Sequence, residues 1–264
     1  MTELGASWRS VLFVPANRPE LAPKALRCAP DMVVVDLEDA VPAAGKAAAR
    51  DGARRAVGDL AGNVDVCVRV NPPSTPWFVE DMAALPAGLV AVVVPKWEEP
   101  ADLGLPVVAG LETVRGVADA RELLSAPVVA CYFGAEDYIA DLGGVRSRSN
   151  AEVSTVRSLV GVAARLAGVA ALDMTTIDFG DTERFSEEAG EARALGYSGK
   201  LCIHPGQVAL ANSAFGATPQ ELDRALRLLH AFEAAGGETI SFEGQMVDEV
   251  VAKQARSIVA RSKR

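Results

Sequence analysis

VVACYFGAEDYIADLGG, residues 128–144, begins as an apolar, β-branched run, stops at a glycine and two adjacent carboxylates, Glu136 and Asp137, and continues as a helical pattern. A short apolar run without strict alternation suits a strand covered on both faces, as in a parallel sheet under helices. Seven other runs share this character: SVLFVPA (10–16), MVVVDLE (32–38), VCVRVN (66–71), VAVVVPK (90–96), PVVAGLE (106–112), AALDMT (170–175) and KLCIHP (200–205). Segments of helical composition, such as AAGKAAARDGARRAVGDL and NAEVSTVRSLVGVAARLAG, lie between most of them. Strand alternating with helix eight times predicts an α/β fold, a (β/α)8 TIM-type barrel, with an open doubly wound sheet as the alternative.

The 264 residues suit one such barrel of about 250 residues plus a little more. Only WEEPADLG separates runs 4 and 5, too little for more than one or two helical turns. After run 8 come two helical patterns, TPQELDRALRLLHAFEAAG and VDEVVAKQARSIVARSKR, joined through SFEGQM, a candidate hinge. The second exceeds what a barrel needs. The expected division is therefore a barrel over 1–236 and a C-terminal linker and helix over 237–264 that packs on a neighbouring subunit.

Lys plus Arg number 26 against 35 Asp plus Glu, a net charge of −9, which argues against nonspecific attraction to nucleic acid or anionic membrane. Cys28, Cys67, Cys131 and Cys202 lie far apart without a CxxC pair and read as reduced core thiols. MTELGASWRS lacks the apolar stretch of a signal peptide, and no uncharged run approaches a spanning helix, so a cytoplasmic enzyme or binding protein is expected.

In α/β barrels the chemistry sits at the C-terminal ends of the strands. There the runs end in Asn17, in Asp36, Glu38 and Asp39, in Arg69 and Asn71, in Lys96, in Glu112, in Glu136 and Asp137, in Asp173 and in His204. Adjacent strands are roughly 4.8 Å apart, so Glu112 and a carboxylate of GAED can approach one cation; hard oxygen donors with open positions suit Mg²⁺, and Mn²⁺ nearly as well. Strand 6 then ends in acids because it faces a metal, with Gly134 relieving crowding beside it. Other readings stay open. Asp137 or Asp141 can cap the following helix, Arg69 can be a structural partner of the acids in DLED, Lys96 reads as a rim lysine or a Schiff-base lysine, and His204 as a structural histidine or a base. His230 receives no chemistry.

RSVLFVPA, VVVDLEDAVPAAGKAAAR, VRVN, VVVPK, LETVRG, FGAEDY, GYSGKLCIHPGQV and FEGQMVD stand in the order found in the citrate lyase β-subunit-like branch of the HpcH/HpaI aldolase superfamily, which the chain resembles over essentially its whole length. The resemblance implies a (β/α)8 barrel, commonly a homotrimer, that binds Mg²⁺ and makes or breaks a carbon–carbon bond in short acyl thioesters. Carried over by motif, it implies Glu112 and Asp137 as metal ligands and Arg69 as the group binding the keto-acid carboxylate and enolate oxygen. Phe13 and Lys24 match positions touching the thioester ligand. Asp248 matches an acid delivered into a neighbouring subunit's site, there to act as acid or base at the thioester carbon or to activate water; its other reading is the N-cap of the last helix. Asp36, Glu38 and Asp39 are expected to hold Arg69 or metal-bound waters. Two departures stand out: the first motif reads VPA, with Ala16 in place of the common glycine, and Glu20 stands where some CoA-using relatives carry a lysine.

Three functions follow. The first is a Mg²⁺-dependent lyase cleaving malyl-CoA, citramalyl-CoA or a similar β-hydroxyacyl thioester to a 2-keto acid and an acyl-CoA, with thioesterase activity as an extension. The second is a citrate lyase β subunit acting on citryl-acyl carrier protein. The third is a catalytically silent barrel that binds CoA or an acyl carrier protein.

Overall fold

The structure is a computed structural model that describes residues 5, 7–125 and 127–262. All eight expected strands are present: β1 Ser10–Pro15, β2 Met32–Asp36, β3 Asp65–Arg69, β4 Ala91–Val94, β5 Val107–Leu111, β6 Val128–Phe133, β7 Ala170–Asp173 and β8 Gly199–Cys202. They run parallel in sequence order, and β8 returns to β1 with Val11 opposite Leu201, which closes the barrel. The helices are α1 Ala22–Ala25, α2 Lys46–Leu60, α3 Phe78–Ala83, α4 Val114–Ala118, α5 Ala120–Leu123, α6 Ala135–Leu142, α7 Ala151–Ala167, α8 Thr182–Ala194 and α9 Pro205–Phe215. No helix joins β4 to β5, where the chain has only the short WEEPADLG stretch.

Period-two alternation sorts each strand between two cores. Val11, Met32, Val34, Cys67, Ala91, Val93, Val108, Ala130, Tyr132, Ala170, Leu172 and Leu201 fill the barrel interior together with Trp8. The Trp8 indole N–H donates to Asp65 Oδ2 at 2.7 Å, so its polar edge is satisfied where the strands begin. The intervening residues face the helices. This parity corrects one expectation, that all eight runs deliver their terminal polar group to a common rim. Asp173 faces outward, where Arg157 holds it through Nε and Nη2 at 3.1 Å each and Lys200 Nζ reaches it at 2.9 Å. Glu188 accepts from Thr176, Arg184 and Asn150 in the same network. Buried charges persist when paired and hydrogen-bonded in this way.

A bulge between β5 and β6 pairs Val107 with Val128 and Val108 with Ala130, leaving Val129 as the extra residue. Gly110 follows on β5; a side chain there would meet the Tyr132 hydroxyl at 2.4 Å.

The chain divides into two compact units between Asn212 and Ser213. The second contains α10 Pro219–Ala234, the antiparallel strands β9 Ile240–Phe242 and β10 Gln245–Val247, and α11 Glu249–Arg261. Its core is Ala225, Leu228, Phe232, Val247, Ala252 and Ala255, so α10, assigned by its sequence to the barrel, packs with the tail. Thr218 and Glu221 form a capping box at the start of α10. SFEGQM is a tight hairpin turn rather than a free joint, because Glu243 (φ 49°) and Gly244 (φ 77°) both adopt left-handed geometry and Arg224 and Arg227 each bind Glu243. Among the described residues no helix is long and apolar enough to cross a membrane. Cys28, Cys67, Cys131 and Cys202 are unbridged, and the last three are buried.

Candidate active site

At the C-terminal end of the barrel lies a cavity of ≈ 470 Å³ with two unlike sides. Asp36, Asp39, Arg69, Glu112, Glu136 and Asp137 supply the charged side, from the ends of β2, β3, β5 and β6. Phe13, Pro15, Ile177, Leu201 and Ile203 supply the apolar side, from β1, β8 and the loop after β7.

Arg69 organises the charged side. Its Nε and Nη2 donate to Asp36 Oδ1 and Oδ2 at 2.7 and 2.8 Å, the paired geometry that a planar guanidinium offers a carboxylate. Nη1 lies 2.9 Å from Glu38 Oε2, an ion contact without hydrogen-bond alignment, and Nη2 lies 3.3 Å from Asp39. The Phe13 ring sits 4.9 Å from the guanidinium carbon as a cation–π partner. Burial works against the Asp36 charge, but Arg69 and the N–H groups of Glu38 and Ala40 outweigh it and hold that carboxyl below its usual range. Lys46 fixes the same loop from beneath, donating to the carbonyls of Leu37 and Glu38 at 2.7 Å each.

Glu112 is buried just beyond β5. Its Oε1 accepts from the Lys96 N–H and the Tyr132 hydroxyl, both at 2.9 Å. Burial raises its pKa, and the nearby Asp137 adds to that rise against the opposing pull of Arg69 and Lys96. Gly134 makes room: a β-carbon there would lie 2.4 Å from Glu112 Oε2. Asp137 stands in the first turn of α6, whose N-cap is Gly134 with no side-chain cap. Its Oδ1 lies 3.1 Å from Lys96 Nζ, so its contact is within the site rather than to its own helix. Glu136 turns to Arg146 at 2.9 Å, and Asp141 accepts the Val114 N–H at the start of α4.

The structure therefore gathers Phe13, Asp36, Glu38, Asp39, Arg69, Glu112 and Asp137 around one space. Lys24 stands apart, exposed on α1 and outside the cavity lining. Asp248 belongs to the second unit, where its Oδ1 accepts from the Val250 and Val251 N–H groups as the N-cap of α11. His204 is exposed, stacks on Phe179 at 4.8 Å and accepts the Gly206 N–H, and it does not line the cavity. The sequence reading missed Tyr132, although its strand parity with Gly134 marks it as inward-facing.

Glu38 feels burial as well. Its carboxyl is pushed up to about 7 from the 4.5 usual for a glutamate by burial, against the attraction of Arg69. A folded-state pKa above the unfolded one means that the folded protein binds the proton more tightly. The metal-free protein is therefore expected to lose stability as pH rises from about 4.5 through about 7, and Glu38→Gln should flatten that part of the profile. Urea midpoints at pH 4.5, 6 and 8 measure this, and identical slopes in both proteins would refute the assignment.

Two carboxylates lining one open cavity suit a hard divalent cation that keeps water or substrate oxygens in its remaining positions. A cationic group already seats on Asp137, which shows that the spot attracts positive charge. Among the described residues no third His, Cys, Asp or Glu joins such a pair to complete an all-protein cage. Glu112 and Asp137 thus fit an open site.

The chain is 50% identical to a citrate lyase subunit beta-like protein of Deinococcus radiodurans, with 96% of each chain covered. It is 28% identical to the human mitochondrial citramalyl-CoA lyase over 95% of this chain and 84% of that one. The crystal structure of CitE from Mycobacterium tuberculosis in complex with magnesium, acetoacetate and coenzyme A superposes with a TM-score of 0.87 at 36% identity, covering 99% of this chain and all of the other. The family model described as HpcH/HpaI aldolase/citrate lyase matches residues 9–104 and 103–205, and on this match and the extent of these identities the chain belongs to that family.

Proposed function

We propose that the protein is a Mg²⁺-dependent carbon–carbon lyase that cleaves a short β-hydroxyacyl thioester of the malyl-CoA or citramalyl-CoA type to a 2-keto acid and an acyl-CoA. The observation that carries this reading is the placement of one guanidinium, Arg69, beside the Glu112–Asp137 pair in a cavity whose other side is apolar. Glu112 and Asp137 would hold the metal, which supplies Lewis-acid polarisation of the substrate oxygens. Arg69 binds the carboxylate of the nascent keto acid, with Asp36 and Glu38 fixing the guanidinium plane. The apolar side, from Phe13 to Ile203, receives the acyl portion and keeps water from it. As the carbon–carbon bond breaks, the β-hydroxyl loses its proton, its oxygen becomes the keto oxygen, and the electron pair passes to the thioester enolate, which is then protonated at carbon. The Mycobacterium tuberculosis CitE structure that contains coenzyme A and the similarity to the human citramalyl-CoA lyase favour CoA over an acyl carrier protein as the carrier.

The test is incubation of the purified protein with Mg²⁺ and a panel of hydroxyacyl-CoA thioesters, with keto acid and free thiol followed separately. Keto acid without thiol is the expected result. Thiol alone would identify a thioesterase, and inactivity with every CoA thioester but turnover of a citryl-acyl carrier protein would identify a complex subunit. Inactivity toward both carriers would leave a binding barrel.

The active form proposed is a cytoplasmic homotrimer in which Asp248 serves the site of a neighbouring subunit as acid or base at the thioester carbon. In support, two apolar side chains close to Asp248 in sequence are uncovered, Met246 being 69% exposed and Val250 64%. An Arg69→Ala chain and an Asp248→Ala chain, each inactive alone, are expected to regain partial activity when coassembled. No recovery, with subunit mixing demonstrated by native mass spectrometry, would assign Asp248 to its cap alone.

A further inference from the structure

We infer that Lys96 is a tethered counter-cation of the metal site: its main-chain N–H fixes Glu112, its ammonium occupies Asp137, and a divalent ion must displace that ammonium to bind. The inference rests on the reading of Glu112 and Asp137 as the metal pair. It adds a residue that sets how strongly the pair takes a bare cation.

Lys96 follows Pro95 at the end of β4 with φ 49°, a left-handed conformation that is uncommon outside glycine. Such backbone persists where the surroundings over-determine it. Here the turn aims the Lys96 N–H at Glu112 Oε1, 2.9 Å away, where the Tyr132 hydroxyl also donates. From the same residue the side chain extends to two further acids of the site. Nζ lies 3.1 Å from Asp137 Oδ1 and 3.2 Å from Glu38 Oε1. A single residue therefore touches both proposed ligands, one through its backbone and one through its side chain.

The charges explain why an ammonium belongs there. Asp36, Glu38, Asp39, Glu112, Glu136 and Asp137 bring six carboxylates to this end of the barrel; Arg146 answers Glu136, and Arg69 and Lys96 are the cations that face the others. Arg69 is committed to Asp36 and Glu38, which leaves Lys96 to answer Asp137. A divalent ion shared by Glu112 and Asp137 would sit a few ångströms from Nζ, where like charges repel strongly at the low effective dielectric of a half-buried site. Lys96 has room to yield. Its side chain is 31% exposed, its four-carbon stem is flexible, and Glu38 remains as a partner after Asp137 is released. Before the metal arrives, the ammonium holds Asp137 and Glu38 in place as their shared counter-charge. Once it arrives, the repulsion holds down the occupancy of the site by a bare cation.

The experiment is calorimetric titration of the purified full-length protein with Mn²⁺ alone, comparing wild type, Lys96→Met, Lys96→Gln, Lys96→Arg and Asp137→Asn, with thermal midpoints as fold controls. Lys96→Met and Lys96→Gln are expected to bind Mn²⁺ about tenfold more tightly, and Lys96→Arg, which keeps the charge, to stay close to wild type. Unchanged or weaker binding in both neutral variants at a wild-type thermal midpoint, with binding lost in Asp137→Asn, would overturn the role of Lys96 while leaving the ligand reading intact. Wild-type Mn²⁺ affinity in Asp137→Asn would overturn the ligand reading and this inference with it.

Discussion

Glu112→Gln is expected to lower the affinity for Mg²⁺ or Mn²⁺ at least about a hundredfold and to abolish lyase turnover, while the thermal midpoint stays level or rises. Replacing groups that merely orient a metal ligand commonly costs about 10- to 100-fold in affinity, and Glu112 is proposed as a ligand itself. The opposite response of stability follows from its surroundings. Burial raises the Glu112 pKa, so its charge is held at a cost that the isosteric amide does not carry. The amide oxygen can still accept from the Lys96 N–H and Tyr132 hydroxyl, which occupy only Oε1 in the native protein. Calorimetric titration and a thermal melt on one sample separate the two effects. Retained metal affinity would refute the assignment; joint loss of affinity and stability would make Glu112 a structural group.

The position of Glu112 was legible because strand ends in a parallel barrel are marked by the abrupt change from β-branched residues to polar ones. LETVRG and FGAEDY are adjacent strands in that scheme, and they pair in the structure with Leu111 opposite Phe133. Side-chain direction was harder to read. Asp173 ends an apolar run just as Glu112 does, yet one residue of parity sends it into the helical layer to meet Arg157 and Lys200. Runs buried on both faces lack the alternation that would have shown this. The role of Lys96 was hidden for another reason: nothing in VVVPK signals a left-handed backbone at a lysine, because that conformation answers to Glu112, which lies 16 residues away in sequence. SFEGQM misled because a glycine signals a turn as readily as a flexible joint. The deciding contacts, Arg224 and Arg227 on Glu243, lie 16 to 19 residues back along the chain.

Arg69→Lys separates the two jobs that the guanidinium performs. As a structural group, Arg69 answers the charge of Asp36, which is buried and held ionised by it. Removing one partner of a buried ion pair costs about 3–5 kcal/mol, so Arg69→Ala should be markedly less stable. Lysine keeps the positive charge and most of that stabilisation, but it offers a point charge in place of a planar fork. It cannot bond Asp36 through two donors, approach Glu38 and still present an N–H to a substrate carboxylate. Activity should therefore fall much further than stability: kcat/KM for the hydroxyacyl thioester is expected to drop about a thousandfold in Arg69→Lys, with a thermal midpoint between those of wild type and Arg69→Ala. In the condensation direction, KM for the keto acid should rise, because the lost interaction includes its carboxylate. Added guanidinium ion should restore part of the activity of Arg69→Ala by entering the space between Asp36 and the Phe13 ring, which lies 4.9 Å from the native guanidinium carbon. Arg69→Lys turning over within threefold of wild type would show that Arg69 merely neutralises Asp36 and that another group receives the substrate carboxylate.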